Sequence, residues 1–447
     1  MRNIKKCAVT VAALSAGALL LSGCSSTDSP AATPSGESST SSGPVEIDYW
    51  GWEATSTQQV VDAYNAAQDK YKIHYVLQAS NTATQTAFQN LMSAGGQTVP
   101  CIVQGFTGLT SAVASGWTQD ITKYVDQHKD VWSKGSLAGS QVNGKFMGLP
   151  SGVDAQFVMV NDAVLKAAGV DVPTTWEDVL ADAPKLKAVG AATLNLPGED
   201  PSGFVNLAQQ AGAVWFAIDG DKWKVNLLDD ATLKAADFYQ KIIDGGFASN
   251  ATYQDKPALY AAFDGGKLAF LPTAWWSMNG YADNFDTSLG QWHAVKGPTF
   301  ADAPSSGVPG KSVSNFVPKD CKHPEAAVDF TAWATTDAGI EASRNATTGQ
   351  VNFPTSIPDP SKYVTDIVPD KLFDQPKSEV GDVVVDAQSR AIGVFEQGPN
   401  NNAWFPELQD QWGKAVAGQQ TLKQALQNTQ DFIAKDLDTK GISYKIG

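Results

Sequence analysis

Strand and helix patterns alternate through the first hundred residues, and this alternation limits the fold more than any other feature. Val45, Ile47 and Tyr49 alternate with polar neighbours and predict a strand that runs into Trp50-Gly51-Trp52-Glu53. Thr55 to Thr57 can cap a helix whose apolar positions Val60, Tyr64, Ala67 and Tyr71 fall at spacings of four, three and four. Ile73 to Leu77 is strand-like, a second helix carries Phe88, Leu91, Met92 and Gly95, and Cys101-Ile102-Val103 supplies another buried strand. A βαβαβ order predicts a parallel sheet covered by helices, hence the α/β class.

A second βα-rich unit follows from about residue 154. Phe157 to Val160 predicts a strand leading into a helix from Asn161 to Ala168, which Gly169 ends. Another helix opens at Thr174-Thr175, with Glu177 and Asp178 in the first turn where the helix dipole favours acids. Leu194 to Pro197 reads as a strand ending in the polar loop Gly198 to Ser202, with helices at 204–211 and 231–244. Leu268 to Leu271, behind the turn pair Gly265-Gly266, predicts a buried strand that Pro272 ends. Trp275 and Trp276 follow at its carboxyl end, the edge where ligands sit in open α/β sheets. Taken alone, an indole pair more often packs a core than a ligand. Further on come a turn-rich passage from Pro304 to Gly310, a strand from Ser314 to Val317 and a helix from Pro324 to Ala334. Final helices are expected near 383–395, 404–417 and 421–437.

The N-terminus reads as a signal sequence, with Arg2, Lys5 and Lys6 ahead of an apolar stretch from Ala8 to Leu21. Leu21-Ser22-Gly23-Cys24 resembles the bacterial lipoprotein box, in which the cysteine becomes the lipidated first residue of the mature chain. Ser25 to Gly43 is polar, with nothing to bury, and reads as a flexible tether of roughly 25 Å reach. Formal charge is −15, and the first 23 residues carry three cations and no acid, so the remainder stands at −18. Nucleic acid is bound through lysines and arginines that neutralise phosphates, so a surface this acidic excludes it as a partner. With Cys7 removed and Cys24 acylated, Cys101 and Cys321 remain, either as a disulfide or as two buried thiols.

In sequence order, several strings together resemble the extracellular solute-binding proteins of ATP-driven importers, in the carbohydrate-binding branch of maltose-binding protein. They are Asp48-Tyr49-Trp50, Ala94-Gly95-Gly96 through Pro100-Cys101-Ile102-Val103-Gln104, and Gly144 to Pro150 followed by Phe157 to Asn161. Pro173 to Asp178, Phe263 to Gly280 and Val317-Pro318-Lys319 with the helix from Pro324 complete the set. One departure is Cys101, where such proteins usually carry Asp. The resemblance implies a two-lobed periplasmic-binding-protein fold with discontinuous lobes and a hinge. Its expected parts are a signal peptide (1–23), a tether (24–43), a first lobe (44–153 and 304–373) and a second lobe (154–303 and 374–447). The C-terminal helices are expected to return partly to the first lobe. The implied activity is capture of an oligosaccharide between the lobes and delivery to the permease of an ABC importer. The protein would be a monomer, lipid-anchored at the extracellular face of the membrane, without cofactor or metal.

Carried over by position, Trp276 falls where that branch places an aromatic platform for a sugar ring, with Trp275 its neighbour. Trp404 falls near a C-terminal stacker, and Phe106 where another aromatic borders the cleft. Sugar hydroxyls need groups that donate and accept in pairs. Glu53, Asn81, Asp154 and Gln350 are the polar candidates, with Asp200 and Ser202 in the Gly198 loop behind them.

Two other classes compete. Tryptophans with paired carboxylates also suit a surface-anchored glycoside hydrolase, and Glu53, Asp154 and Glu396 are the acids to arrange. A polysaccharide-binding lipoprotein would hold polymer on an exposed face. No nucleophile elbow, His-Glu-x-x-His pair or phosphate loop occurs, so the sequence carries no catalytic motif and the binding reading stands first.

Overall fold

The computed structural model describes residues 43–447 apart from 54–55, 97, 107, 304–306, 313 and 393–394. The expected signal peptide, the lipidated Cys24 and nearly all of the tether lie outside the described residues, as does part of the turn-rich passage at 304–310.

The first lobe follows the alternation. Strand β1 (Val45–Gly51), helix α1 (Ser56–Ala67), β2 (Tyr71–Leu77), helix α2 (Asn81–Ser93) and β3 (Ile102–Phe106) come in that order. Val45 pairs with Tyr71 and Tyr49 with Ile102, both parallel. Ile47, Val61, Tyr64, Ile73 and Ile102 fill the core between sheet and helices, where Phe330 of a later helix joins them.

Beyond residue 150 the chain crosses to the second lobe. Strand β4 (Val153–Ala155) runs straight into β5 (Phe157–Asn161), whose five residues are all buried. Helices α3 (Trp176–Ala188), α4 (Ser202–Ala211) and α5 (Asp230–Asp244) follow. Strand β6 (Phe270–Thr273) and strand β7 (Trp292–Val295) flank β5, both antiparallel. Pro272 does not end its strand as expected; it pairs opposite Val158 inside β6. An edge strand tolerates a residue without an N–H, and β6 is the outer strand of this sheet.

The return crossing is β8 (Gly310–Ser312) and β9 (Ser314–Phe316). β8 pairs antiparallel with β4, Lys311 opposite Asp154, and β9 pairs antiparallel with β3. Two crossing strands thus lie side by side as a ribbon between the sheets, which is the hinge. The third crossing, at 352–356, packs on the ribbon so closely that a Cβ on Gly152 would sit 1.8 Å from Thr355 Oγ1.

Helix α6 (Pro324–Ala334) returns to the first core, tied to it by a disulfide between Cys101 and Cys321, whose Cα atoms are 5.0 Å apart. The choice left open by the sequence is closed in favour of the bond. Tyr363, Val364, Ile367 and Leu372 bury themselves with Phe157, Met159 and Trp292, so a stretch expected with the first lobe shares a core with the second sheet. Helix α7 (Lys377–Ser389) starts six residues before the expected 383, directly after Pro376. Helices α8 (Asn401–Val416) and α9 (Leu422–Lys440) place Leu408, Trp412, Leu426 and Ile433 in the second lobe's core with Phe204 and Trp215. The contact back to the first lobe comes from the loop before α8. There Thr110 donates to Glu396 at 2.8 Å and Ser111 to the Pro399 carbonyl at 3.3 Å.

Candidate functional site

The second lobe opens a cavity of about 500 Å3, within the range of small-molecule sites. Its lining residues fall between Gln156 and Pro309, with Trp412 added from α8. β6 ends at its mouth, and the chain then makes a single 3-10 turn, Trp275–Ser277. Strand-to-turn geometry throws Trp276 outward, leaving it 53% exposed at the cavity mouth. A large indole this open is unusual, because the hydrophobic effect favours covering it. Trp276 is not among the residues of any hydrophobic core cluster.

The floor is aromatic, with its polar edges already engaged. Trp176 donates to Gln210 Oε1 at 2.7 Å, and Trp412 to the Pro197 carbonyl at 2.8 Å. Tyr239, Tyr253, Tyr260 and Tyr281 add rings around the walls. Burial, and for Tyr253 the nearby Tyr281 and Asp200, push the phenols of Tyr239 and Tyr253 well above their ordinary range, so both stay neutral donors and acceptors. Asn206 is only 8% exposed, and its Nδ2 lies buried without a hydrogen-bond partner. Asp200 and Ser202 both line the cavity. Asp200 Oδ1 accepts from the Ser202 amide at 2.9 Å and so satisfies the first N–H of α4. Broad ring faces with scattered neutral hydroxyl and amide groups suit an uncharged polyhydroxylated ring, whose C–H face stacks while its rim hydrogen-bonds.

The other expected residues separate into three groups. Glu53 and Asn81 stand on the first lobe, at the carboxyl ends of β1 and β2. Glu53 is exposed, its Oε2 accepting from Thr57 at 3.2 Å and its carbonyl from Tyr75 at 2.9 Å. Asn81 accepts from Gln85 at 2.8 Å. Beside them is Trp52, which the sequence reading named only in passing. Its ring lies over Gly105, where φ is 89° and a Cβ would come within 1.8 Å of the indole. A glycine after two buried strand residues was the available signal for this close approach. Phe106 closes β3 opposite Ser314, and its side chain lies outside the described residues. Gln350 donates to Asn279, on the helix that follows the Trp276 turn.

Trp404 is not a stacker. It is 3% exposed, its ring 5.3 Å from Phe216 and its N–H bonded to the Gln397 carbonyl at 3.0 Å. Leu408, Trp412 and Ala415 follow it at helical spacing on the same buried face, so neither indole surface is open. Trp412, two turns along, is the residue of α8 that reaches the cavity.

Trp275 and Asp154 engage each other rather than standing open. Trp275 Nε1 donates to Asp154 Oδ1 at 2.8 Å, and Thr355 Oγ1 to the same oxygen at 3.4 Å. Burial pushes the Asp154 carboxyl up to about 6; the two hydrogen bonds oppose the rise and the Glu53 charge adds to it. Because the folded pKa lies above the unfolded one, the native state holds this proton more tightly. Asp154 therefore costs no stability below about pH 4 and a growing amount as pH rises toward 6. A rise of this size limits that cost to about 3 kcal/mol, and less where water reaches the carboxyl. Asp154→Asn is expected to raise the thermal midpoint at pH 7 and to match the parent protein at pH 4. Parallel melting curves across that range would refute the assignment.

Among the described residues no cluster of His, Cys, Asp and Glu is placed to hold a metal ion, and no helix is long and apolar enough to cross a membrane. The chain is similar to the arabinooligosaccharide-binding protein of Bacillus subtilis, 23% identical over 335 residues that span 71% of this chain and 73% of that protein. Its fold is similar to that of the galacto-N-biose-/lacto-N-biose I-binding protein of the ABC transporter from Bifidobacterium longum. There the TM-score is 0.75 at 22% identity, over 90% of this chain and 99% of that one. An ABC transporter associated binding protein from B. animalis subsp. lactis, solved with β-1,6-galactobiose, gives 0.73 at 21% identity over 90% and 100%. Residues 59–369 match the profile of the family described as bacterial extracellular solute-binding protein, and the chain belongs to that family.

Proposed function

We propose that this protein captures an oligosaccharide between its lobes and delivers it, unaltered, to the permease of an ABC importer. The observation that carries the reading is Trp276, held half in water at the mouth of an aromatic, largely neutral cavity. The saccharides named for the relatives of like fold support it. Glu53, Asn81 and Trp52 stand on the facing lobe, where closure about the β4–β8 ribbon brings them to the ligand's other side. Closure is stabilised only by what the ligand contacts better in the closed state. Among the described residues that line the cavity, Asp200 supplies the carboxylate, whereas glycoside hydrolysis needs two acids flanking the bond. Glu396, weighed as one of that pair, is engaged by Thr110 and the Gly398 amide.

In the cell the chain would be a monomer held at the outer face of the membrane by acylated Cys24, its tether leaving it free to meet the permease. Cys24→Ala is expected to release it into the medium. The central test is calorimetric titration of the mature protein with a panel of neutral oligosaccharides, with chromatography of each mixture afterwards. Saturable binding without new products supports the receptor; cleavage of any member, or binding to none, overturns it.

A further inference from the structure

The tryptophan beside the exposed one is tied to the hinge from two sides. Asp154, which accepts the Trp275 N–H at 2.8 Å, belongs to β4 and faces Lys311 of β8 across the ribbon. Phe353, on the third crossing, sets its ring edge to Trp275 at 6.0 Å between centroids and 65° between planes. Thr355, two residues on, donates to the same Asp154 oxygen and presses against Gly152. Trp275 therefore reports the position of two crossings at once.

Trp276 has no comparable support. It is 53% exposed, and its 3-10 turn has no side-chain cap; the turn is held by backbone bonds from the Ser277 amide to the Ala274 carbonyl at 3.0 Å and from the Met278 amide to the Trp275 carbonyl. A short turn fixes the Cα–Cβ directions of two consecutive residues relative to each other, so whatever fixes Trp275 also sets the direction in which Trp276 leaves the backbone. A stacking face contributes more to affinity when it is aimed before the ligand arrives, since ordering it afterwards costs conformational entropy.

We propose that Asp154 is a positioning residue: it locks the Trp275–Trp276 turn to the hinge ribbon, so that the angle between the lobes and the aim of the exposed indole change together. The role of that indole as a sugar platform rests on the function proposed above; the mechanical link does not. Hinge opening would swing the indole away as the facing lobe retreats, and closing would return it. Of the candidate polar residues, Asp154 thus acts through Trp275 and not on the ligand.

The link can be read without any ligand, from 15N relaxation of the Trp276 backbone amide in the full mature protein. The parent protein and Asp154→Asn, which keeps an acceptor oxygen, are expected near the roughly 0.85 order parameter of rigid structure. Asp154→Ala and Trp275→Phe, which keeps the ring but loses the donor, are expected to fall below about 0.6. A purely structural role would lower the thermal midpoint of these two variants and leave the Trp276 order parameter unchanged, and that result overturns the proposal. Titration with lacto-N-biose and β-1,6-galactobiose as probes adds a second readout. Where a probe binds, Asp154→Ala and Trp275→Phe should lose at least fivefold in affinity and Asp154→Asn less than twofold; equal affinities in all four proteins also overturn it. Absence of binding by every saccharide would instead remove the proposed function, with the relaxation result still deciding the link.

Discussion

Trp276→Ala is expected to weaken saccharide binding at least tenfold and to leave the thermal midpoint within a degree or two of the parent. Both halves follow from where the side chain lies. At 53% exposure it contributes little to the folded state, and surface substitutions of this kind usually change stability by about 0.5 kcal/mol or less. Once a sugar ring covers it, the same indole loses its remaining water and gains a close-packed face. A tenfold loss corresponds to about 1.4 kcal/mol. At roughly 25 cal/mol per Å2, desolvating about 60 Å2 of ring surface supplies that much. Trp276→Phe, with a smaller face, should fall between. Calorimetry on all three proteins decides the matter: unchanged affinity for the alanine variant in a folded protein removes Trp276 from the site.

The largest expected change in stability comes from Cys101→Ser with Cys321→Ser. The bond joins residues 220 apart in sequence and closes the first lobe around β3 and the start of α6. On the chain-entropy account a loop of this length gives about 5 kcal/mol, at the upper end of what native disulfides contribute. Strain relief and residual structure in the unfolded chain usually lower the measured value, so a loss of about 2–4 kcal/mol is expected. In a protein this large such a loss lowers the midpoint by only a few degrees, because the unfolding entropy grows with chain length. Denaturant unfolding is the more sensitive measurement, with and without reductant. Both cysteines are buried in the first core, remote from the cavity residues, so saccharide affinity should not change. Equal stability of the parent, reduced and doubly substituted proteins would show that the bond constrains nothing.

What the sequence revealed depended on how local the signal was. The opening βαβαβ run of the first lobe was legible almost element by element, because its strands and helices carry their period, caps and turns within short windows, as in Val45–Tyr49 and Ile73–Leu77. The Trp275–Trp276 turn was found in the same way, as a short apolar strand with two indoles after it. Pro272 misled because proline's cost depends on whether its strand has a neighbour on that side, a property of the sheet and not of the string. Trp404 and Trp412 share one helix, and the sequence singled out Trp404 where the structure lines the cavity with Trp412. Which face of an amphipathic helix turns inward is settled by the partners it packs against, here Phe216 and Trp215. The tyrosines of the cavity wall come from three separate helices and a loop between them, and only the tertiary fold brings them together. The Cys101–Cys321 bond was undecided for the same reason, since it spans half the chain.

The lopsided lining of the cavity has a consequence for how receptors of this shape diverge. Nearly every residue that touches the cavity lies in one continuous stretch of about 150 positions, from Gln156 to Pro309, while the ribbon and the facing lobe lie at or beyond its two ends. Substitutions accumulating in that stretch can reshape the cavity while leaving the ribbon's own residues unchanged. Recombination that exchanged this one segment between two such genes would carry most of the cavity lining across in a single genetic step.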